Sequence, residues 1–273
     1  MAILTIKELT IQHQDNTIVN NVSLTIHEGE WLALVGESGS GKSVTASAIG
    51  GLLPAGLEVR LGSILLQNLD VSMLTEKELQ NIRGKDISYI FQDYQGAFTP
   101  FITIGKQFDE MLKTHTSMSR KERKEYSLLS LKNVQLPEER VYKSYPFQLS
   151  GGQLQRAAIA MAMILKPKLL IADEPTTALD GMTAMSVLEL IADLKEQTNC
   201  AVLFITHDLR HVRKYADTMA IMLRGEIVEA GEKGAIFEKP QHPYTKQLFT
   251  AIPPLRETPS RLLTIAEKEA VLI

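Results

Sequence analysis

Residues 36–43 read GESGSGKS and satisfy G-x-x-x-x-G-K-[ST], a spacing that converges backbone N–H groups, one ammonium and one hydroxyl on phosphate oxygens. Gly36, Gly39 and Gly41 allow the tight turn. The N–H groups from Ser38 through Ser40 to Lys42 wrap the β-phosphate of a nucleotide, Lys42 reaches the β and γ oxygens, and Ser43 offers its hydroxyl to Mg²⁺.

Two adjacent acids end the apolar run LLIADEP at 169–175. If that run is a strand beside the phosphate loop, Asp173 holds Mg²⁺ and Glu174 faces the water that attacks the γ-phosphate, where a carboxylate can serve as general base. DEPTTALD also reads as an acidic helix start, so the acids alone do not decide the point. FITHD at 204–208 ends another apolar run with His207, placed to hydrogen-bond the γ-phosphate and link it to Glu174. Gln92, in YIFQD, follows a further strand end and supplies an amide able to reach Mg²⁺ and the attacking water.

A second anion-type motif, QLSGGQLQR at 148–156, lacks any lysine. Ser150 and Gln153 form an S-x-x-Q capping box before QLQRAAIAMAMIL, so part of its role is to start a buried helix. Gly151 and Gly152 allow close backbone approach, and a helix N-terminus favours negative charge.

The elements that must carry these groups follow from hydrophobic periodicity. AILTIKELTI, VSLTI and WLALV read as strands, the third feeding a helix, SVTASAIGGLL, through the glycine loop and ending at Pro54. A charged helix is expected over 72–83, then the strand DISYIF, then amphipathic helices within about 102–148 inserted between two strands. KLLIADEP and AVLFITHD have the continuous apolar character of buried parallel strands. The helix between them carries Ala184, Val187, Leu188, Ile191 and Leu194 at helical spacing. TMAIML and EIVEAG form a hairpin about RGE, and the proline-dotted tail from Pro240 is expected to be loosely structured.

The 273 residues are 44% hydrophobic and 22% charged, which places the chain among globular proteins. A net charge of −3 argues against a main role in neutralising nucleic-acid phosphates. The single cysteine, Cys200, rules out an internal disulfide or a cysteine-built metal cluster and fits a reducing compartment. No signal-peptide pattern and no run of 18 apolar residues occurs.

In order and spacing the set GESGSGKS, Gln92, LSGGQ, LLIADE, ALD at 178–180 and THD resembles the nucleotide-binding subunits of ATP-binding cassette (ABC) transporters. The resemblance implies an α/β P-loop NTPase fold with an antiparallel β subdomain and an inserted helical subdomain at about 96–150. It divides the chain into a cassette over 1–240 and a tail over 241–273. It also implies a head-to-tail dimer in which Ser150, Gly151, Gly152 and Gln153 grip the γ-phosphate of ATP held by the other subunit, with Asp180 linking the two sites. The family stacks adenine on an aromatic residue upstream of the phosphate loop, and that position falls here on His13, which stacks more weakly. QHPYTKQLFTAIP at 241–253 is similar to the tail of importers of di- and oligopeptides, nickel and metal–opine chelates. Their cysteine-rich cluster is missing, which favours the nickel and metallophore branch. The implied assembly is a second, homologous ATPase subunit, two permeases and an extracellular binding protein, with this chain on the cytoplasmic face of a bacterial membrane and no nucleic-acid partner. The rival is a non-transport ABC ATPase of DNA repair or translation, but the chain lacks a long coiled coil, zinc modules and a second cassette.

Overall fold

A computed structural model of the chain describes residues 1–177 and 179–250. Strands β1 (Ala2–His13), β2 (Asn16–His27), β4 (Leu57–Leu66) and β5 (Leu69–Asp70) form an antiparallel sheet in the order β2-β1-β4-β5. A second sheet runs β10-β9-β3-β8-β7-β6, built from β3 (Trp31–Val35), β6 (Ile87–Ile90), β7 (Leu169–Asp173), β8 (Ala201–Thr206), β9 (Thr218–Leu223) and β10 (Glu226–Glu232). Its strands are parallel except for the β9–β10 hairpin.

The central strands are apolar along all but their end positions because both of their faces are covered. Trp31, Ala33 and Val35 of β3 pack with Val202 and Phe204 in the core beneath the helices α6 (Gly151–Met163) and α7 (Gly181–Thr198). Leu32 and Leu34 face the other way, into a core shared with the antiparallel sheet and helix α1 (Lys42–Ile49). All five side chains of the helical stripe on α7 expected from its spacing are buried. Helices α3 (Ile104–His115), α4 (Arg120–Asn133) and α5 (Glu138–Lys143) lie between β6 and α6 in chain order. Among the described residues no helix is long and apolar enough to cross a membrane.

Several expected boundaries move. Helix α1 stops at Ile49 rather than at Pro54, because Gly51 turns left-handed at φ 64° and Arg83 donates to the carbonyls of Gly50 at 2.7 Å and Gly51 at 2.8 Å. The helix expected over 72–83 is a 3₁₀ turn at Val71–Met73 followed by α2 (Glu76–Ile82), since the Thr75–Glu78 capping box restarts it. Strand β4 was not anticipated: Gly62, at φ 92°, bulges against the Lys7 and Glu8 carbonyls and breaks the alternation. The tail is not loose at its start. After the short helices α8 (Leu209–Tyr215) and α9 (Lys233–Glu238), residues 243–250 form helix α10 (Pro243–Thr250), with Tyr244 and Thr245 buried; the remaining tail, 251–273, lies outside the described residues.

Candidate nucleotide site

The parallel register brings four strand ends to one edge of the sheet. Val35 lies beside Thr206, Asp173 beside Ile205, and Ile90 beside Ala172. The phosphate loop, His207, the Asp173–Glu174 pair and Gln92 therefore share the C-terminal edge of the sheet, where ligands collect in open α/β folds.

Between β3 and α1 the loop needs glycine at defined points. Gly39 and Gly41 have φ of 81° and 105°, and Gly41 is the N-cap of α1. A Cβ on Gly36 would lie 2.2 Å from the Met222 carbonyl oxygen, so only glycine lets the loop pass β9. Ser40 is buried beside Lys42, whose ammonium donates to the carbonyls of Gly36 at 2.9 Å and Glu37 at 2.7 Å and to Ser40 Oγ at 3.4 Å. Burial pushes the Lys42 pKa down, and the carboxylates of Glu174, Asp173 and Glu37 oppose that shift. Ser38, in the turn of the same loop, is exposed.

Ser43 Oγ donates to Asp173 Oδ1 at 3.1 Å, joining the start of α1 to the end of β7. Burial raises the Asp173 pKa, and the Ser43 hydrogen bond works against it. A half-buried carboxylate beside a hydroxyl is an oxygen donor pair suited to Mg²⁺, which keeps few protein ligands and completes its shell with phosphate and water. Among the described residues no cluster of three His, Cys, Asp or Glu forms an all-protein metal cage.

Glu174 leaves the strand with φ 46°, a left-handed conformation that is uncommon for glutamate. Its N–H donates to the Ile205 carbonyl at 3.0 Å, Thr177 Oγ1 donates to Oε2 at 2.6 Å, and His207 Nδ1 lies 3.4 Å from Oε1. The carboxylate is thus aimed by two neighbours on adjoining segments. Gln92 lies on an exposed segment beyond β6 and has no hydrogen bond to this group. His13 is exposed at the end of β1, close to Gly56, where a Cβ would lie 3.0 Å from the imidazole.

Ser150 and Gln153 make the expected box: Gln153 N–H donates to Ser150 Oγ at 3.3 Å, and Ser150 N–H to Gln153 Oε1 at 3.2 Å. Gly151 packs against the Tyr94 hydroxyl, whereas nothing lies within 4 Å of a Cβ built on Gly152. No hydrogen bond or ion pair ties residues 150–153 to Lys42, Ser43, Asp173, Glu174 or His207 among the described residues. Asp180 caps α7, accepting from the N–H groups of Met182 and Thr183 at 3.1 Å each and from Thr183 Oγ1, bonds that lower its pKa. Ala178, before it in the ALD loop, lies outside the described residues.

Two contacts were not legible in the motifs. Gln155, buried in α6, donates from Nε2 to the Pro175 carbonyl at 2.6 Å, one residue beyond Glu174. Tyr244 of α10 accepts a hydrogen bond from the Glu37 N–H at 3.0 Å. The HPYT pattern marked the segment that holds Tyr244, but nothing in it marked the phosphate loop as its neighbour.

Residues 19–177 match the family described as ABC transporter, and residues 228–272 match the oligopeptide/dipeptide transporter C-terminal region. The chain is 44% identical over 253 residues to the metal-staphylopine import system ATP-binding protein CntD of Staphylococcus aureus, covering 92% of this chain and 93% of that one. It is 49% identical over 240 residues to the dipeptide transport ATP-binding protein DppD of Bacillus subtilis, covering 87% and 71%. Among solved structures it is similar to the dimeric post-hydrolysis state of the ATP-binding cassette MJ0796 bound to ADP and Pi. That likeness has a TM-score of 0.74 and 32% identity, and it covers 84% of this chain and 98% of that one.

Proposed function

The chain belongs to the ABC transporter family, and from that membership and the geometry around Lys42 we propose that it hydrolyses ATP to drive a bacterial importer. The cargo class is nickel or a metal–opine chelate, or a di- or oligopeptide. The match at 228–272 and relatives named for metal-staphylopine, dipeptide and oligopeptide transport support that class over DNA repair or translation. The observation that carries the reading is the bond from Ser43 to Asp173 beside a buried Lys42, with Glu174, just past β7, and His207, just past the neighbouring β8, 3.4 Å apart.

Residues 36–43 receive the phosphates, with N–H groups from Ser38 to Lys42 on the β-phosphate and the Lys42 ammonium on the β and γ oxygens. Ser43, Asp173 and Gln92 would hold Mg²⁺, which supplies charge neutralisation on the phosphates. Glu174 takes the proton of the attacking water, and His207 orients Glu174 and the γ-phosphate. Acceleration comes from positioning and charge compensation. His13 is assigned to the adenine.

Ser150, Gly151, Gly152 and Gln153 complete the site of a second cassette, across an interface that Asp180 also faces. Ser150 and Gly151 are exposed and Gly152 and Gln153 half-buried, and the lack of a bond from these residues to this chain's own Lys42 group supports that assignment. The second cassette is a homologous, distinct subunit. Two permeases and an extracellular binding protein complete the importer, with this chain on the cytoplasmic membrane face. Residues 1–240 form the cassette, with a helical subdomain at about 96–150, and 241–273 the transporter-type tail.

The test is a pair of variants in the assembled ATPase. Glu174→Gln should keep ATP affinity and lower steady-state turnover by roughly 10²-fold or more, as expected for loss of a general base. Lys42→Ala should weaken ATP binding itself. Normal turnover by Glu174→Gln would remove the assigned base.

A further inference from the structure

The C-terminal helix is fastened to the phosphate loop by one side chain. Glu229 on β10 accepts the N–H groups of Gln241 at 2.8 Å and His242 at 3.0 Å, and His242 Nδ1 accepts the Tyr244 N–H at 3.2 Å. Pro243 begins α10, where its missing N–H and fixed φ suit a first turn. These bonds set the start of the helix, and Tyr244, 7% exposed, is directed at the loop after β3.

The phenol oxygen accepts the Glu37 N–H at 3.0 Å. That N–H shares a peptide plane with the Gly36 carbonyl, which accepts the Lys42 ammonium at 2.9 Å. One rigid planar unit is therefore held at both ends, by Tyr244 on one side and by Lys42 on the other. Bonds linked through a peptide group reinforce one another. On its remaining side the unit abuts β9, since a Cβ on Gly36 would lie 2.2 Å from the Met222 carbonyl oxygen. The peptide cannot rotate without giving up a buried hydrogen bond or meeting a strand.

We propose that Tyr244 is a positioning residue of the phosphate loop: its hydroxyl holds the 36–37 peptide in the orientation that seats Lys42, so that the C-terminal helix sets the affinity for nucleotide. The proposal rests on the reading of residues 36–43 as the ATP site. It gives the HPYT segment a physical role in the ATPase, in which His242 and Pro243 start the helix and Tyr244 braces the loop.

Tyr244→Phe in the full chain keeps the ring and removes the acceptor. The dissociation constant for ATP with Mg²⁺ should rise about three- to tenfold, the range expected for one hydrogen bond. The maximal rate at saturating ATP, in the assembled ATPase, should stay within about twofold. A general loss of packing would instead lower the amount of active protein and leave the affinity of the remainder unchanged. Hydrogen exchange supplies a second readout that requires no variant: the Glu37 amide of the wild-type chain should exchange slowly without nucleotide, and should lose that protection in Tyr244→Phe. Equal ATP affinities for wild type and Tyr244→Phe, or a Glu37 amide that exchanges in the wild type as fast as an open loop, overturn the proposal. If the wild type binds no ATP and Lys42→Ala changes nothing, the nucleotide reading itself falls, and that outcome is separable from either of the others.

Discussion

Gln155 joins the helix that follows the LSGGQ motif to the loop that follows Glu174, the proposed general base, and replacing it should impair chemistry more than binding. Its amide Nε2 donates to the Pro175 carbonyl at 2.6 Å, with the side chain 1% exposed and Oε1 buried without a partner. Gln155→Leu preserves much of the volume but removes the side-chain donor to that carbonyl. An intramolecular hydrogen bond contributes about 0.5–1.5 kcal/mol, and a buried acceptor left unpaired costs about 1–3 kcal/mol. Losing the unpaired Oε1 offsets part of this, so a net destabilisation of about 1–2 kcal/mol is expected. For a chain of this size that lowers Tm by about 2–6 °C.

Pro175 directly follows Glu174, whose left-handed backbone needs support from its surroundings. Releasing the carbonyl should therefore let the carboxylate drift, lowering kcat by about tenfold, since small misplacements of a catalytic group are costly. KM for ATP should not change, because Lys42 and its partners are untouched. Gln155→Glu, nearly isosteric, substitutes an acceptor for the donor and should be worse than leucine on both counts. The assays are thermal unfolding and steady-state ATP turnover across ATP concentrations. A Gln155→Leu protein with lowered Tm but unchanged kcat would refute the reasoning, by showing that the bond only holds the helix in place.

Two further outcomes follow from other contacts. Ser150→Arg should leave ATP affinity at its own Lys42 loop within about twofold while reducing hydrolysis at the facing site by roughly 10²-fold, the scale of losing an electrostatic donor to the reacting group. Loss of binding at its own loop, measured by nucleotide titration, would sink the assignment across the interface. Asp208 is pushed up by burial, but bonds from the Arg210 side chain and backbone N–H outweigh that and bring its pKa from 3.8 to about 2. A carboxylate lowered on folding adds stability above pH 4, and that contribution is lost as pH falls towards 2. Allowing for screening by solvent at the exposed Arg210 guanidinium, Asp208→Asn should cost about 1 kcal/mol at neutral pH, with the gap to wild type narrowing below pH 4 in urea unfolding.

The site was readable where chemistry and periodicity coincide. The runs WLALV, LLIA and AVLFI are each apolar throughout and each leads into a polar motif, so both the strand and the group it carries could be read together. Strand β4 was hidden because its exposed residues and the bulge at Gly62 interrupt the alternation that reveals a strand. The tail helix was missed because Pro240 and Pro243 look like breakers, although proline in a first turn starts a helix. Gln155 and Tyr244 escaped notice for another reason. Their partners, Pro175 and Glu37, are 20 and 207 residues away, and only the packing of α6 and α10 brings them within reach.

The central claim, that ATP hydrolysis at Lys42, Ser43, Asp173 and Glu174 powers import, is tested most directly in vesicles holding the reconstituted importer. ATP turnover and solute accumulation should be measured together, with dipeptides, free Ni²⁺ and metal–opine chelates compared side by side. One of these classes should stimulate turnover and accumulate inside the vesicles, and Glu174→Gln should abolish both effects. Turnover that none of the solutes stimulates, or accumulation that persists in Glu174→Gln, would contradict the account.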